Sequence, residues 1–515
     1  MILGGNKTSR EIDNYAINTL KIPSIVLMEN AAISFASHIK SEIGNILIIC
    51  GKGNNGGDGY AIARQLHSRG SKVHIYCISN KNMSIDCQIN YEICKNLGID
   101  IHYDIEELDN LLLNCNLIID SIFGTGLNSE ITGLYREIIE KVNRYSYTKE
   151  VYSVDIPSGI DGNTGKILGT AIRANKTVSF ITYKKAFLNL ENRDYFGEII
   201  IENIGLNEED IFNLTDEYYI TDKSISKCII GRHEDSHKGD FGKILIFSGS
   251  KEFSGASVIT ANSCVRSGAG LTTLMTYNNT FSGNISSLPE VMLVTINHIN
   301  INEDLRKIEE VVLNSDVIAI GPGIGRTFNS LTVMKKILSF RENNKGNIIK
   351  LVIDADGLNL LSENPELFEL IRNRAILTPH IIEFSRLSGL TPQEIANDRL
   401  NGFALCRKFS EKFNIILILK GKNTLITDGS KIYINSTGNS HMANGGMGDC
   451  LTGITASLLG QGYSLIDSSK IAVFLHGYIG DRLFEKQYIV NATHIIDNIS
   501  AYMKEIFKLH IDFKR

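Results

Sequence analysis

The sequence predicts an α/β protein built from two doubly wound domains, and three observations support this fold class. Short runs of Val, Ile and Leu alternate with helix-length segments along all 515 residues. The runs are continuously apolar, which is typical of parallel strands covered by helices on both faces. Nearly every run ends in Gly, Asp, Pro or His. Because ligands of such sheets lie beyond the carboxyl ends of the strands, function is expected at these ends.

The predicted strands fall into two series. The first series comprises 45–50, 72–78, 116–120 and 151–157, and the second comprises 243–250, 316–323, 350–357, 375–380 and 415–421. Between the two series lies an acidic, weakly periodic segment at 206–226. We therefore expect two domains, 1–215 and 216–515.

Composition and charge exclude several classes of protein. The chain is 43% hydrophobic and 21% charged, which is typical of a soluble globular protein. A net charge of −5 favours neither nucleic acid nor an anionic membrane. No apolar run reaches the ~18 residues of a membrane span, and the N-terminus lacks signal-peptide features. The nine cysteines show no zinc or C-x-x-C spacing, so we expect a reduced, cytoplasmic protein. We also expect a homo-oligomer with small-molecule partners.

The first strand is followed by GKGNNGGDGY at 51–60, and a helix is expected at 60–69. The glycines satisfy the dinucleotide pattern G-x-G-x-x-G, but the next strand ends in Ile-Ser-Asn and lacks the acidic residue of that fingerprint. The motif adds Asn54, Asn55 and Asp58, whose oxygens suit a hard cation.

Two further strand ends of the first half carry acids. Asp120 opens DSIFGTGL, and Asp155 lies in VDIPSGIDG, where Pro157 and Ser158 form the turn. Each aspartate by itself is more often a turn or helix-cap residue. Three such strand ends in one sheet, however, predict a common pocket.

The second half contains no P-loop, but its strand ends are rich in glycine and polar residues. They read SGSKEFSGA, GPGIG, DADGLN, TPH, KGKNT and NGGMGDC. Lys420 and Gly421 end one strand and Thr424 opens the next, an arrangement that could surround an adenine nucleotide.

Asp449 follows three glycines and precedes Leu451, Ile454 and Leu458 at helical spacing. A helix N-terminus favours anions, so two interpretations remain open from these residues. Asp449 either helps to cap a buried helix or serves as a catalytic base beside a phosphate-binding turn.

Nearby polar residues also have structural interpretations. His380 is typical of a polar strand end, and Glu383 is typical of a capping-box partner. Lys238 is expected to be a solvated loop lysine.

The motifs together identify a resemblance. They occur along both halves in the order found in the bifunctional NAD(P)H-hydrate repair enzymes, and the chain is similar to that family. These enzymes fuse an NAD(P)HX epimerase to an ADP-dependent NAD(P)HX dehydratase. The resemblance implies a Rossmann-like epimerase domain followed by a ribokinase-like domain. It implies epimerisation of R- and S-NADHX and NADPHX, and dehydration of the S form to NAD(P)H with ADP converted to AMP and phosphate.

For the epimerase, the resemblance implies a potassium site, a catalytic residue and a hydrate pocket. Asp155 would be the acid/base at C6 of the hydrated nicotinamide, and potassium would bind Asn55, Asp120 and Ser158. The pocket would be lined by Asn54, Asn55, Gly56, Gly57, Asp58, Gly124, Thr125, Gly126, Leu127, Asn128, Ser129, Glu130 and Asp155.

For the dehydratase, the resemblance implies that Asp449 is the general base and that Mg²⁺ accompanies ADP. The hydrate would contact Ala256, Gly323, His380 and Asp449. The nucleotide would contact Lys420, Gly421, Lys422, Asn423, Thr424 and Gly448.

The sequence departs from the family pattern at three places. Ser440 and His441 replace a Pro-Gly before the last motif, Asn444 replaces the usual Thr within it, and Ile381 and Ile382 replace a Pro-Gly after TPH. Two alternatives remain. The second half could be a small-molecule kinase, and the first half could be a non-enzymatic scaffold.

Overall fold

The computed structural model describes residues 1–40, 43–280, 288–400 and 403–512. The chain divides into two compact units, Met1–Glu217 and Tyr218–Arg515. The division lies inside the acidic segment at 206–226, two residues after the boundary expected from the sequence.

The first unit contains a seven-stranded, all-parallel sheet in the order β4-β3-β2-β5-β6-β7-β9. Two short strands, β1 and β8, pair separately in parallel. The strands are β1 (Leu3–Gly4), β2 (Asn45–Cys50), β3 (Lys72–Cys77), β4 (Asp100–His102), β5 (Leu117–Ser121), β6 (Glu150–Val154), β7 (Lys176–Phe180), β8 (Tyr183–Lys184) and β9 (Glu198–Glu202).

Helices cover both faces of this sheet. They are α1 (Asn6–Asn14), α2 (Ser24–Ser37), α3 (Asn54–Ser68), α4 (Ile85–Asn96), α5 (Ile105–Asn114), α6 (Gly133–Tyr145) and α7 (Glu208–Ile211). Alternate residues of β2 enter two different cores, Ile46 and Ile48 on one face and Leu47 and Ile49 on the other. This double burial explains why the strand is apolar at every position.

The second unit contains a ten-stranded sheet in the order β10-β19-β18-β17-β16-β15-β14-β11-β12-β13. The strands from β11 to β17 pair in parallel, whereas β17, β18 and β19 form an antiparallel meander. The strands are β10 (Glu217–Tyr219), β11 (Lys243–Phe247), β12 (Leu271–Tyr277), β13 (Val291–Ile296), β14 (Val317–Ile320), β15 (Lys350–Ile353), β16 (Ala375–Leu377), β17 (Ile416–Leu419), β18 (Thr424–Thr427) and β19 (Ile432–Asn435).

The helices of the second unit include α17, which is buried from Cys450 to Leu459 and packs against α9, α18 and the sheet. They are α8 (Asp222–Ser226), α9 (Ser254–Arg266), α10 (Leu305–Leu313), α11 (Phe328–Leu338), α12 (Asp356–Glu363), α13 (Phe368–Ile371), α14 (Ile381–Ser388), α15 (Pro392–Leu400), α16 (Ala404–Phe413), α17 (Met447–Gly460), α18 (Leu465–Phe484) and α19 (Ala492–Asp512). Among the described residues, no helix is both long and apolar enough to cross a membrane.

The predicted fold class is confirmed, and each predicted apolar run contains a strand. The prediction of a helix at 60–69 was wrong at its start, because α3 begins at Asn54 inside the glycine-rich motif. Tertiary packing overrides the low helix propensity of glycine here. A side chain at Gly56 would collide with the Gly51 carbonyl, so only glycine allows this helix to lie so close to the end of β2.

Candidate active sites

The first unit contains a cavity of about 850 Å³ beyond the carboxyl ends of β2, β5, β6 and β7. Its wall includes the start of α3, the loop after β5, Asp155 after β6 and Lys184 on β8. The three strand ends therefore converge on one cavity as expected, and the end of β7 together with β8 forms a further side of it.

Asp155 is 15% exposed and adopts a left-handed backbone conformation with φ 68°. Its backbone N–H donates to the Val178 carbonyl (2.8 Å), which anchors this strained turn to β7. The Lys184 ammonium lies 3.0 Å from Asp155 Oδ1, and the Ser179 hydroxyl donates to the same oxygen at 3.3 Å. Oδ2 accepts the Thr125 N–H at 3.3 Å. The carboxylate is thus oriented chiefly through Oδ1.

Asp120 is fully buried beneath the cavity and is hydrogen-bonded on both oxygens. Oδ1 accepts the Ser158 hydroxyl (2.5 Å) and the Ile122 N–H (3.3 Å). Oδ2 accepts the Ser158 N–H and the Ser153 hydroxyl, both at 2.8 Å. Burial raises the pKa of Asp120, while these hydrogen bonds lower it.

Asn55 lies beside this network with an exposed fraction of 8%, and neither Oδ1 nor Nδ2 has a hydrogen-bond partner. Buried amides are rarely left unsatisfied, so this side chain indicates a polar ligand. A methyl group at Gly124 would lie 3.3 Å from Asn55 Oδ1 and 3.2 Å from Asp155 Oδ2. Gly124 therefore keeps the space between the amide and the carboxylate open.

Two more acids of the cavity wall, Asp58 and Asp13, have raised pKa values. Burial raises the pKa of Asp58, and the negative charges of Asp155, Asp13 and Asp86 raise it further. Burial also raises the pKa of Asp13, with Lys184 acting in the opposite direction. The cavity thus concentrates acids around one buried ammonium.

In the second unit, Asp449 occupies the first turn of α17, after Gly446 in a left-handed conformation (φ 86°). Burial raises the pKa of Asp449 to about 6, and the neighbouring Asp354 and Asp356 also raise it, whereas Lys420 lowers it. A carboxylate with a pKa near neutrality is suited to general-base chemistry.

The half-buried Lys420 forms an ion pair with the buried Asp354, with Nζ 2.7 Å from Oδ1. Thr452 on α17 donates its hydroxyl to Asp354 Oδ2 at 2.9 Å. A side chain at Gly448 would place its Cβ 3.3 Å from Lys420 Nζ. The ion pair therefore borders the N-terminal turn of α17, where positive charge and free backbone N–H groups favour an anion.

The remaining predicted residues of this unit lie around the same strand ends. Gly323 (φ 66°) packs against Ala256 and Phe253, whose Cβ atoms would lie 3.1 and 2.8 Å from an added methyl. His380 caps α14, where its Nδ1 accepts the Ile382 and Glu383 N–H groups at 3.1 and 3.3 Å.

The loop between β17 and β18 is shaped by backbone interactions. Gly421 and Asn423 have positive φ, and the Thr424 hydroxyl donates to the Gly421 carbonyl at 2.8 Å. The Lys422 ammonium donates to the Gly438 carbonyl at 2.7 Å, which ties this loop to the segment before α17.

Comparison with known proteins assigns both units. Residues 24–186 match the family described as YjeF-related protein N-terminus, and residues 244–501 match the family described as NAD(P)H-hydrate dehydratase. The chain is 33% identical to the bifunctional NAD(P)H-hydrate repair enzyme of Moorella thermoacetica, over 92% of this chain and 90% of that protein. For the enzyme of that name from Escherichia coli, the identity is 31% over 85% of this chain and 80% of that protein. The chain belongs to the bifunctional NAD(P)H-hydrate repair enzyme family.

A solved structure of a ribokinase-like superfamily protein from Enterococcus faecalis is also similar. It is 31% identical with a TM-score of 0.51, and the match covers 56% of this chain and 96% of that chain. The ribokinase-like fold expected for the second half is thereby confirmed.

Most residues predicted to line the hydrate pocket lie in the wall of the first-unit cavity. The cavity wall contains Asn54, Asn55, Asp58, Gly124, Thr125, Gly126, Leu127, Asn128, Ser129 and Asp155. Gly56, Gly57 and Glu130 lie outside this wall, and their expected contact with the hydrate stays a prediction. The two glycines are buried in the first turns of α3, where a side chain at Gly57 would meet Met28, and Glu130 is exposed to solvent.

Sequence reasoning missed four side chains of these sites: Asp13, Lys184, Asp354 and Thr452. Asp354 carried a usable signal, because it directly follows β15 in DADGLN, just as Asp120 and Asp155 lie at the ends of other strands. Lys184 lies on β8, beyond the end of β7. Asp13 and Thr452 lie within helices and carried no such signal. The expected capping role of Glu383 is present, since its carboxylate accepts the His380 N–H at 2.8 Å.

Proposed function

We propose that this chain repairs hydrated NADH and NADPH, with epimerisation in the first unit and nucleotide-dependent dehydration of the S form in the second. The observation that carries this proposal is Asp449, a carboxylate with a pKa of about 6 in the anion-favouring first turn of a buried helix. Family membership across both units supports the pairing of the two activities.

In the proposed dehydration, Asp449 takes the proton of the C6 hydroxyl while that oxygen attacks the terminal phosphoryl group of ADP. The P–O bond to AMP breaks, and AMP leaves. The C6–O bond then breaks with loss of phosphate, and the C5 proton leaves to form the C5=C6 bond of NAD(P)H. The α17 N-terminal turn at Gly448 and the Lys420 ammonium stabilise negative charge on the transferring group.

The nucleotide is proposed to contact Lys420, Gly421, Lys422, Asn423, Thr424 and Gly448, and the hydrate Ala256, Gly323, His380 and Asp449. Within the described part of the chain, no group of three or more His, Cys, Asp or Glu side chains is arranged to hold a metal ion. Mg²⁺ usually binds through substrate phosphates with one or two carboxylates. Asp354 and Asp449 are carboxylates beside the proposed nucleotide site and would suit an ion that arrives with ADP.

In the proposed epimerisation, Asp155 exchanges a proton with the hydrate at C6. Potassium would bind Asn55, Asp120 and Ser158, and the chemistry of these three side chains suits that ion. All three supply oxygen donors, and Asn55 Oδ1 is a buried acceptor without a partner. Potassium would supply a fixed positive charge at this end of the cavity, while Gly124 leaves space for the substrate beside Asp155.

The first experiment is NADH recovery at 340 nm from mixed R- and S-NADHX with ADP and Mg²⁺. Complete conversion is expected, because the epimerase replenishes the S form as the dehydratase consumes it. Conversion that stops when the S form is exhausted would leave the first unit a scaffold. No conversion with ADP or ATP would favour the small-molecule kinase, whose sign is a stable phosphorylated product.

A further inference from the structure

Lys184 is a lysine of the first unit with an exposed fraction of only 3%, and it lines the cavity. Its ammonium contacts Asp155 Oδ1 (3.0 Å), the Thr182 hydroxyl (3.2 Å) and the Phe180 carbonyl (3.4 Å). Burial of an ammonium is costly unless it is paired and hydrogen-bonded. Its position therefore depends on Asp155, and the orientation of Asp155 depends on it.

The backbone on both sides of this pair is held in an uncommon conformation. Asp155 has φ 68° and Ile181, three residues before Lys184, has φ 64°. Both are anchored by N–H donation, from Asp155 to Val178 and from Ile181 to Glu202, at 2.8 Å each. Non-glycine residues keep such strain only where the surrounding structure enforces it, and they cluster at functional sites.

The pairing also divides the two oxygens of Asp155. Oδ1 is taken by Lys184 and Ser179, whereas Oδ2 accepts a single long hydrogen bond, from Thr125. Oδ2 lies on the side kept open by Gly124. One oxygen is thus used for orientation and the other is left for a ligand.

The cavity wall carries other charged side chains around this carboxylate. Asp13 on α1, Asp58 on α3 and Asp86 on α4 line the wall. Arg10 and Lys52 line it as well. Lys184 is in direct contact with Asp155 and offsets the surrounding carboxylates.

We propose that Lys184 is a positioning residue of the epimerase site, where its ammonium holds Oδ1 of Asp155 and so directs Oδ2 at the hydrate. This inference rests on the proposed role of Asp155 as the acid/base. Lys184 acts on the rate of proton exchange through Asp155, and substrate affinity depends on it little.

The test compares Lys184→Met with Lys184→Arg in the full chain. The matched control is Lys185→Met, because the adjacent lysine pairs with Glu217 and does not line the cavity. The assay starts from purified R-NADHX without nucleotide, so the dehydratase is idle, and the two epimers are separated by chromatography. Circular dichroism reports folding of each variant.

For Lys184→Met we expect kcat for epimerisation to fall roughly 100-fold with KM changed less than about threefold. Lys184→Arg should recover at least about a tenth of wild-type kcat, since its guanidinium can still donate to Oδ1, and Lys185→Met should stay within about twofold. If the Met variant does not fold, Lys184→Gln keeps a donor to Oδ1 and gives the same comparison.

Two outcomes overturn the inference: wild-type kcat in the uncharged variant, or a lost kcat that arginine does not recover. Failure of the proposed function looks different. In that case the wild type does not interconvert the epimers, or Asp155→Asn does so at full rate. If the wild type is active, Asp155→Asn is inactive and Lys184→Met is unaffected, only the role of Lys184 is rejected.

Discussion

The pH dependence of the dehydratase follows from the pKa of about 6 that burial and neighbouring carboxylates impose on Asp449. A general base works only when it is ionised. With this pKa, about nine-tenths of Asp449 is ionised at pH 7 and about one-tenth at pH 5. We therefore expect kcat/KM for S-NADHX to fall about tenfold between these pH values and to level off above pH 7.

Two substitutions should move the acidic limb of this pH–rate profile, the pH range in which kcat/KM falls, in opposite directions. Asp354 raises the pKa of Asp449 and Lys420 lowers it. Asp354→Asn removes a negative charge, so the limb should move to lower pH by on the order of one unit. Lys420→Met removes a positive charge, so the limb should move to higher pH. Both variants should also lose activity, because the two groups hold each other beside Gly448.

The assay is initial NADH formation at 340 nm from S-NADHX with saturating nucleotide, from pH 5 to 8. Asp449→Asn is the reference variant, and its kcat should fall roughly 100- to 10,000-fold with no limb near pH 6. Shifts of both charge variants in the same direction would refute the electrostatic reasoning. An Asp449→Asn enzyme of normal rate would refute the base assignment itself.

The raised pKa of Asp449 also predicts that its substitution increases stability while it lowers activity. The folded-state pKa of Asp449 lies above its ordinary value of 3.8, so its contribution to stability is complete below about pH 4 and is lost as pH rises through about 6. Asp449→Asn should therefore stabilise the second unit at pH 7, by about 3 kcal/mol at most. Thermal unfolding at pH 4 and pH 7 measures this, and an equal effect at both pH values would contradict it.

Three further predictions concern other parts of the chain. Gly323→Val should abolish dehydration, because Gly323 has a positive φ and an added Cβ would lie 2.8 Å from Phe253 Cβ. The control Gly255→Ala should keep normal initial rates at 340 nm, since an added Cβ there meets no atom within 4 Å. Asn55→Leu should remove any potassium dependence of epimerisation, and a retained dependence would place the ion elsewhere. Thiol titration of the native protein should modify Cys228 first, since the other eight cysteines are buried; equal rates would contradict this.

Much of the fold and part of each site could be predicted from residue patterns alone. Continuous apolar runs such as Ile46–Ile49 mark strands buried on both faces, and this property is local. The helix at Asp449 and the capping role of Glu383 are also local, since both depend on neighbours within one turn. Motif order along the chain was sufficient to identify the family.

Tertiary structure decided which polar groups meet and what their charges do. Lys420 and Asp354 are separated by 66 residues, and only the adjacency of their strand ends through β16 brings the two charges to 2.7 Å. Lys184 reaches Asp155 because two strained turns face one cavity. The pKa of Asp449 depends on burial and on those distant charges, and no local pattern contains either. Electrostatic interactions act through space, so the chemistry of both sites was settled by packing that the linear sequence does not display.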